Sequence, residues 1–152
     1  MHNHNCSFDY DNTLIRYFFV YDQKGDIVDA KYSRPHEENI SRLREKAFNG
    51  SKIYIVTARV PEMNLPEHLD NSPKPEEFIK CMNLPIEEVI YTNNRCKIPT
   101  LREYGIEEHW DDCPEQCRRI QEECDNIKVN LVAAPDGINE FMREKFIKIL
   151  SA

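Results

Sequence analysis

Ser7-Phe8-Asp9-Tyr10-Asp11-Asn12-Thr13-Leu14-Ile15 is the stretch from which the rest of the chain is read. Asp9 and Asp11 stand one residue apart, and Thr13 follows two beyond the second acid. Within a continuing strand the two acids would share a face. A strand that stops near Asp9 and enters a tight loop places both at its carboxyl end, where open α/β sheets hold their ligands. Two carboxylates packed together repel unless a cation lies between them or one carries a proton. The first case is a Mg²⁺ site of oxygen ligands, and the second is an acid–base pair. The plain alternative is a turn held by Asx hydrogen bonds, and the remainder of the chain weighs against it.

Outward from this stretch, strand and helix patterns alternate. Residues 4–9 read as the first strand, although His4, Asn5, Cys6 and Ser7 are poorly apolar for a central buried one. Residues 16–33 read as a β-hairpin with a Gly25-containing loop, placed to fold over the acids as a flap. Arg34-Pro35 is read as the opening of a helix that ends at Gly50, with Ile40, Leu43, Ala47 and Phe48 as its buried stripe. Ile53–Val56 is a buried strand ending in Thr57-Ala58-Arg59. The proline-rich residues 60–75 read as an irregular insertion. A helix over 76–82, a strand over 88–92, a short helix over 99–104 and a strand over 106–110 follow. Pro114 starts another helix, 127–132 form a fifth strand, and a final amphipathic helix carries Ile138, Phe141, Phe146 and Leu150. Such alternation predicts a parallel sheet covered on both faces. Asp9/Asp11, Thr57/Arg59, Asn94/Lys97 and Asp111/Asp112 each follow a strand, so the crevice at the strand ends collects them.

The 152 residues read as one domain, 1–152, and 40% hydrophobic with 31% charged residues is a globular composition. Lys plus Arg total 20 against 27 Asp plus Glu, a net charge of −7, which argues against a broad nucleic-acid or anionic-membrane surface. No run has the length of a membrane span, and the first residues lack a signal-peptide pattern. The six cysteines are expected to be reduced, in an intracellular, cytoplasmic protein. Cys113, Cys117 and Cys124 fall at helical spacings that packing explains. His2, His4 and Cys6 could hold a metal weakly, but a frayed terminus accounts for them better.

Taken in order, Phe8-Asp9-Tyr10-Asp11-Asn12-Thr13, Ile55-Val56-Thr57, Lys97 and Trp110-Asp111-Asp112 resemble the motifs of the haloacid-dehalogenase (HAD) superfamily of phosphatases over nearly the whole chain. The resemblance implies an α/β, three-layer Rossmann-like parallel sheet, with the hairpin as a flap and no large cap domain. It implies a phosphoric monoester hydrolase with Asp9 as the nucleophile that becomes an aspartyl phosphate. Asp11 would protonate the leaving oxygen and then deprotonate water. Mg²⁺ would be held by Asp9, by the main-chain carbonyl of Asp11 and by the Asp111/Asp112 pair. Asp112 is favoured as ligand and Asp111 as its support. Thr57 and the loop amides, Ala58 among them, would hold phosphate oxygens. Lys97 would neutralise charge on the nucleophile and the phosphoryl group, with Arg95 and Lys74 as substitutes. Thr13 would brace the loop. Asn12 stands where the family commonly has Gly, and Asn tolerates left-handed backbone. Asn12 and Arg59 are further substrate candidates, Arg59 balanced evenly against a surface charge.

Neither 16–33 nor 60–75 is long enough for a full cap. The expected partner is a phosphorylated substrate: a metabolite, a nucleotide, a phosphoprotein or a phosphorylated polymer end. Homo-oligomers could cover the site. A receiver domain also clusters acids, Thr and Lys around Mg²⁺, but its acid pair comes first, whereas here it follows the lysine. A silent HAD-like binding module is disfavoured by the presence of both Asp9 and Asp11, and dehalogenation by Asp11, since a halide needs no acid. Phosphoryl transfer to an acceptor other than water stays open.

Overall fold

The acidic turn stands at the end of the central strand of a five-stranded parallel sheet. The computed structural model describes residues 4–59 and 72–132. In chain order the elements are β1 (Asn5–Phe8), β2 (Ile15–Tyr21), β3 (Ile27–Pro35), α1 (Glu37–Phe48), β4 (Lys52–Thr57), α2 (Pro75–Met82), β5 (Ile86–Tyr91), α3 (Ile98–Glu103), β6 (Ile106–Asp111), α4 (Pro114–Glu123) and β7 (Lys128–Leu131). The sheet runs β5-β4-β1-β6-β7, the Rossmann-type order, in which the chain reverses direction across the sheet beside β1. Residues 60–71 and the expected C-terminal helix lie outside the described residues.

Alternation along the strands builds the three layers. Cys6, Phe8, Ile53 and Ile55 join Ile40 and Leu43 of α1 and Phe78 of α2 in one buried cluster. Val56 and Ile106 join Ile98 and Leu101 of α3 and Ile120 of α4 in another. Phe8 and Trp110 are paired in register and stack, with ring centroids 4.4 Å apart.

The polar character of β1 has a structural cause. Ser7 lies beside His109 in register, and Ser7 Oγ and His109 Nδ1 are hydrogen-bonded at 2.7 Å. Both side chains are fully buried, so each satisfies a group that would otherwise stay unpaired in the core. Cys6 is also buried in this strand, and burial pushes its thiol up, which argues against a metal-ligand role.

Several helix starts follow their prolines: Pro75 and Pro114 are the first residues of α2 and α4. Pro75 therefore belongs to α2 rather than to the irregular insertion. Pro35 is a correction. It ends β3, and His36 caps α1 by accepting from the Asn39 amide at 3.3 Å. A residue preceding proline is held in extended backbone, which suits Arg34 to β3. Phe48 is a second correction: it is 92% exposed, one turn beyond the stripe of Ile40 and Leu43.

β2 and β3 form the antiparallel hairpin. Asp22 Oδ1 shapes its loop by accepting from the amides of Lys24 and Asp26, and Gly25 takes φ +81° in open space. Among the described residues this hairpin is the one addition to the layered sheet, and no helix there is long and apolar enough to cross a membrane.

Ser7→Ala should cost about 1–3 kcal/mol, because it leaves His109 Nδ1 buried without a partner. Urea unfolding should show a lower midpoint at unchanged slope. A midpoint equal to wild type would remove Ser7 from this role.

Candidate active site

Asp9 is the first residue beyond β1, and its amide still donates to the Trp110 carbonyl at 2.9 Å. The chain then folds back at once. The Tyr10 carbonyl accepts from the amides of Thr13, Leu14 and Ile15, and Asn12 takes φ +59°. Asn reaches this left-handed conformation more easily than most residues, so the turn needs no glycine. Thr13 Oγ1 donates to Asp9 Oδ2 at 3.3 Å, a brace from within the turn. Asn12 is buried in the same turn.

β6 brings the second acid pair alongside. Asp111 is its last residue, Asp112 follows, and Cys113 caps α4. One ligand atom from each of Asp9, Asp111 and Asp112 lies within 4.8 Å of the others. The carboxyls of Asp9 and Asp112 are within hydrogen-bonding reach of each other. All three residues are buried.

Lys97 enters this acidic cluster from the loop after β5. Its ammonium donates to Asp9 Oδ1 at 2.9 Å and to Asp111 Oδ2 at 2.7 Å. Burial alone would lower the Lys97 pKa, but Asp111 and Asp9 raise it well above the ordinary lysine value, so it is charged. Burial would likewise raise Asp111; Lys97 and His109 outweigh it and hold this carboxyl well below the usual range. Asp9 moves the other way. Burial pushes it up, Lys97 opposes, and the Asp111 carboxylate adds to the rise. The two acids thus differ by environment: Lys97 and His109 hold Asp111 down, while burial outweighs Lys97 at Asp9.

Asp111 is saturated by its neighbours. Its Oδ2 also bonds His109 Nε2 at 2.9 Å, and its Oδ1 accepts from the Cys113 amide at 3.0 Å. A chain of contacts runs from Ser7 through His109, Asp111 and Lys97 to Asp9. The sequence reading missed Ser7 and His109. The signal for them is alternation: Ser7 and Asp9, like His109 and Asp111, stand two apart on neighbouring strands and share a face.

Thr57 ends β4, and its hydroxyl accepts from the Arg59 amide at 3.2 Å. The Thr57 and Ala58 carbonyls accept from the amides of Thr92 and Asn94, tying the β4 and β5 loops together. Asn93 and Asn94 both take positive φ there, which turns the chain toward Lys97. Arg59 is buried and pairs with both carboxylate oxygens of Asp11, at 2.6 and 2.9 Å. Arg95 and Lys74 are exposed, and among the described lysines and arginines it is Lys97 that touches Asp9.

All six cysteines are free thiols, and Cys117, buried beside Asp111, has its thiol pushed up to about 12. Burial is the main cause, so packing rather than ligation accounts for its place on α4.

The donor set suits a hard divalent cation. Asp9, Asp11, Asp111 and Asp112 bring four negative charges against two positive ones from Lys97 and Arg59, leaving −2. Carboxylate oxygens with no thiol or ring nitrogen among the three clustered ligands favour Mg²⁺ or a similar ion.

No family model and no curated protein matches the chain. Among solved structures it is similar to a HAD family enzyme from Bacteroides thetaiotaomicron, an aspartate-to-alanine mutant in complex with magnesium and inorganic phosphate. That similarity spans 93% of this chain and 100% of the other, at 13% identity and a TM-score of 0.46.

Proposed function

We propose that this chain is a Mg²⁺-dependent phosphatase that hydrolyses a phosphate monoester through an aspartyl phosphate. The observation that carries the reading is the buried meeting of Asp9, Asp111 and Asp112 around Lys97, at the carboxyl ends of two adjacent central strands. A structural ion-pair network has no need to pack three carboxylates within 4.8 Å, whereas a cation-assisted phosphoryl site does.

Asp9 attacks phosphorus, forming the Asp9 acyl phosphate, and the ester oxygen departs with a proton from Asp11. Water then attacks the phosphorus as Asp11 takes its proton, releasing inorganic phosphate and regenerating Asp9. Lys97 holds Asp9 in place and offsets charge on the transferring group. Thr57 and the amides of the following loop, with Ala58, hold the phosphate oxygens. Asp9, Asp112 and the Asp11 main-chain carbonyl would hold Mg²⁺, with Asp111 as the support that also fixes Lys97. The ion supplies the positive charge that lets an anionic phosphate approach anionic side chains. The substrate class is a phosphorylated metabolite, nucleotide or polymer end. We read the β2–β3 hairpin as its flap. We read residues 1–152 as a single catalytic domain of a cytoplasmic enzyme.

Phosphate release should be measured over a panel of phosphate esters, with and without Mg²⁺, beside two variants. Asp9→Asn should lose on the order of 10³-fold or more, since the nucleophile is gone. Asp11→Asn should lose about 10²–10⁴-fold on unactivated esters while melting like wild type. Silence of the wild type across the panel, with the ion bound, would turn the reading toward a binding module.

Metal binding has its own readout. At a hundredfold excess over Kd, Mg²⁺ should stabilise the fold by about 2.7 kcal/mol, a rise in Tm of roughly 5–10 °C. The rise should shrink in Asp112→Asn. An equal rise in that variant would move the ion to other ligands.

A further inference from the structure

Arg59 is neither exposed nor aimed at open space. Its Nε donates to Asp11 Oδ2 at 2.9 Å and its Nη2 to Asp11 Oδ1 at 2.6 Å, a two-pronged fork. Nη2 also donates to Ser72 Oγ at 3.1 Å. The guanidinium carbon lies 4.9 Å from the centre of the Tyr10 ring, and Arg59 is only 6% exposed. Its backbone amide rests on the Thr57 hydroxyl. The guanidinium is therefore fixed by an ion pair, a hydroxyl and an aromatic face. A planar fork held this way sets both the position and the plane of the carboxylate it grips, which a lysine ammonium cannot do.

We infer that Arg59 is a positioning residue for the proton-transfer step: it holds the Asp11 carboxyl in its working orientation and does not itself bind the phosphate. The inference rests on the phosphatase reading above. The fork takes one acceptor site on each Asp11 oxygen, of about four that a carboxylate offers. Ser72 and Tyr10 extend the assignment. They belong to different parts of the chain and meet on the guanidinium, and Tyr10 also donates its hydroxyl to the Pro73 carbonyl at 2.6 Å.

The leaving group separates this role from phosphate binding. A basic phenolate departs slowly without a proton, so a misplaced Asp11 slows its ester most. A dinitrophenolate departs unprotonated and feels the loss less. An arginine that gripped the phosphoryl oxygens would instead slow both esters alike, because the transferring group is the same.

The test is kcat/KM with Mg²⁺ on phenyl phosphate and dinitrophenyl phosphate, for wild type, Arg59→Lys, Asp11→Asn and the double variant. Arg59→Lys should slow the phenyl ester at least about tenfold more than the dinitrophenyl ester, as expected when a general acid loses its alignment. In the double variant the loss should equal that of Asp11→Asn alone, since the two residues act as a unit. Equal losses on the two esters, losses that multiply in the double variant, or a gain in rate would each overturn the inference. If Arg59→Lys does not fold, Ser72→Ala carries the same comparison, because it removes one acceptor and leaves the ion pair in place. A smaller widening in the same direction supports the role, and none overturns it. A wild type that hydrolyses neither ester faster than Asp9→Asn sinks the phosphatase reading itself and this inference with it, whereas hydrolysis with equal losses sinks this inference alone.

Discussion

The Lys97 ammonium between Asp9 and Asp111 is the interaction on which the architecture depends. Two like charges about 4 Å apart repel by roughly 4 kcal/mol at an effective dielectric of about 20. A small domain has only about 5–15 kcal/mol of stability in total. Three buried carboxylates within 4.8 Å, left to themselves, would consume most of that. One lysine relieves two of the three, and Arg59 relieves Asp11 beside them. The formal residue of charge across the four acids and two cations is −2. A further cation would balance that residue of charge.

Holding these charges together requires a stiff frame. β1 and β6 are adjacent central strands, so Asp9 and Asp111 are placed by ladder hydrogen bonds rather than by flexible loops. Beneath them the Ser7–His109 contact does for the sheet interior what capping does for a helix end, satisfying polar groups that have no access to water. The polar chain from Ser7 to Asp9 also fixes the plane of Asp111, whose two oxygens serve Lys97, His109 and the Cys113 amide. Such a network rigidifies when fully satisfied. Its cost is visible in the strand itself: β1 holds only four residues, and Phe8 supplies most of its apolar bulk by stacking on Trp110.

What could be read from the sequence follows from range. Periodicity is local, so the layered sheet, the hairpin, the body of the helix over 76–82 and the helix opening at Pro114 all leave marks within a few residues of themselves. Asp9, Asp11, Asp111 and Asp112 were legible as a group because each follows a strand, and strand ends converge. The failures have equally definite causes. Pro35 opens helices in general but also suits the end of a strand, and His36 took the cap instead. Phe48 is the last residue of α1 and is exposed, although the sequence period places it in the buried stripe. The partner of Arg59 is 48 positions away and that of Ser7 is 102 away. Nothing local distinguishes an arginine that grips a carboxylate from one that waits in solvent.

That long-range pair has a consequence for how the site is framed. The chain leaves the sheet after the Asp11 turn to build the β2–β3 hairpin, and it returns where the His36 amide donates to the Leu14 carbonyl at 2.8 Å. Farther along, the Ser72 hydroxyl accepts from Arg59. Asp11 stands beside the closed base of the hairpin, and Arg59 beside its tie to Ser72. The ion pair between them joins the two. Leu14 and Ile15 are fully buried at the root of the hairpin, so the root moves only with the core. The same ion pair ties the turn after β1 to the end of β4, so the two strand ends are held to each other by side chains as well as through the sheet.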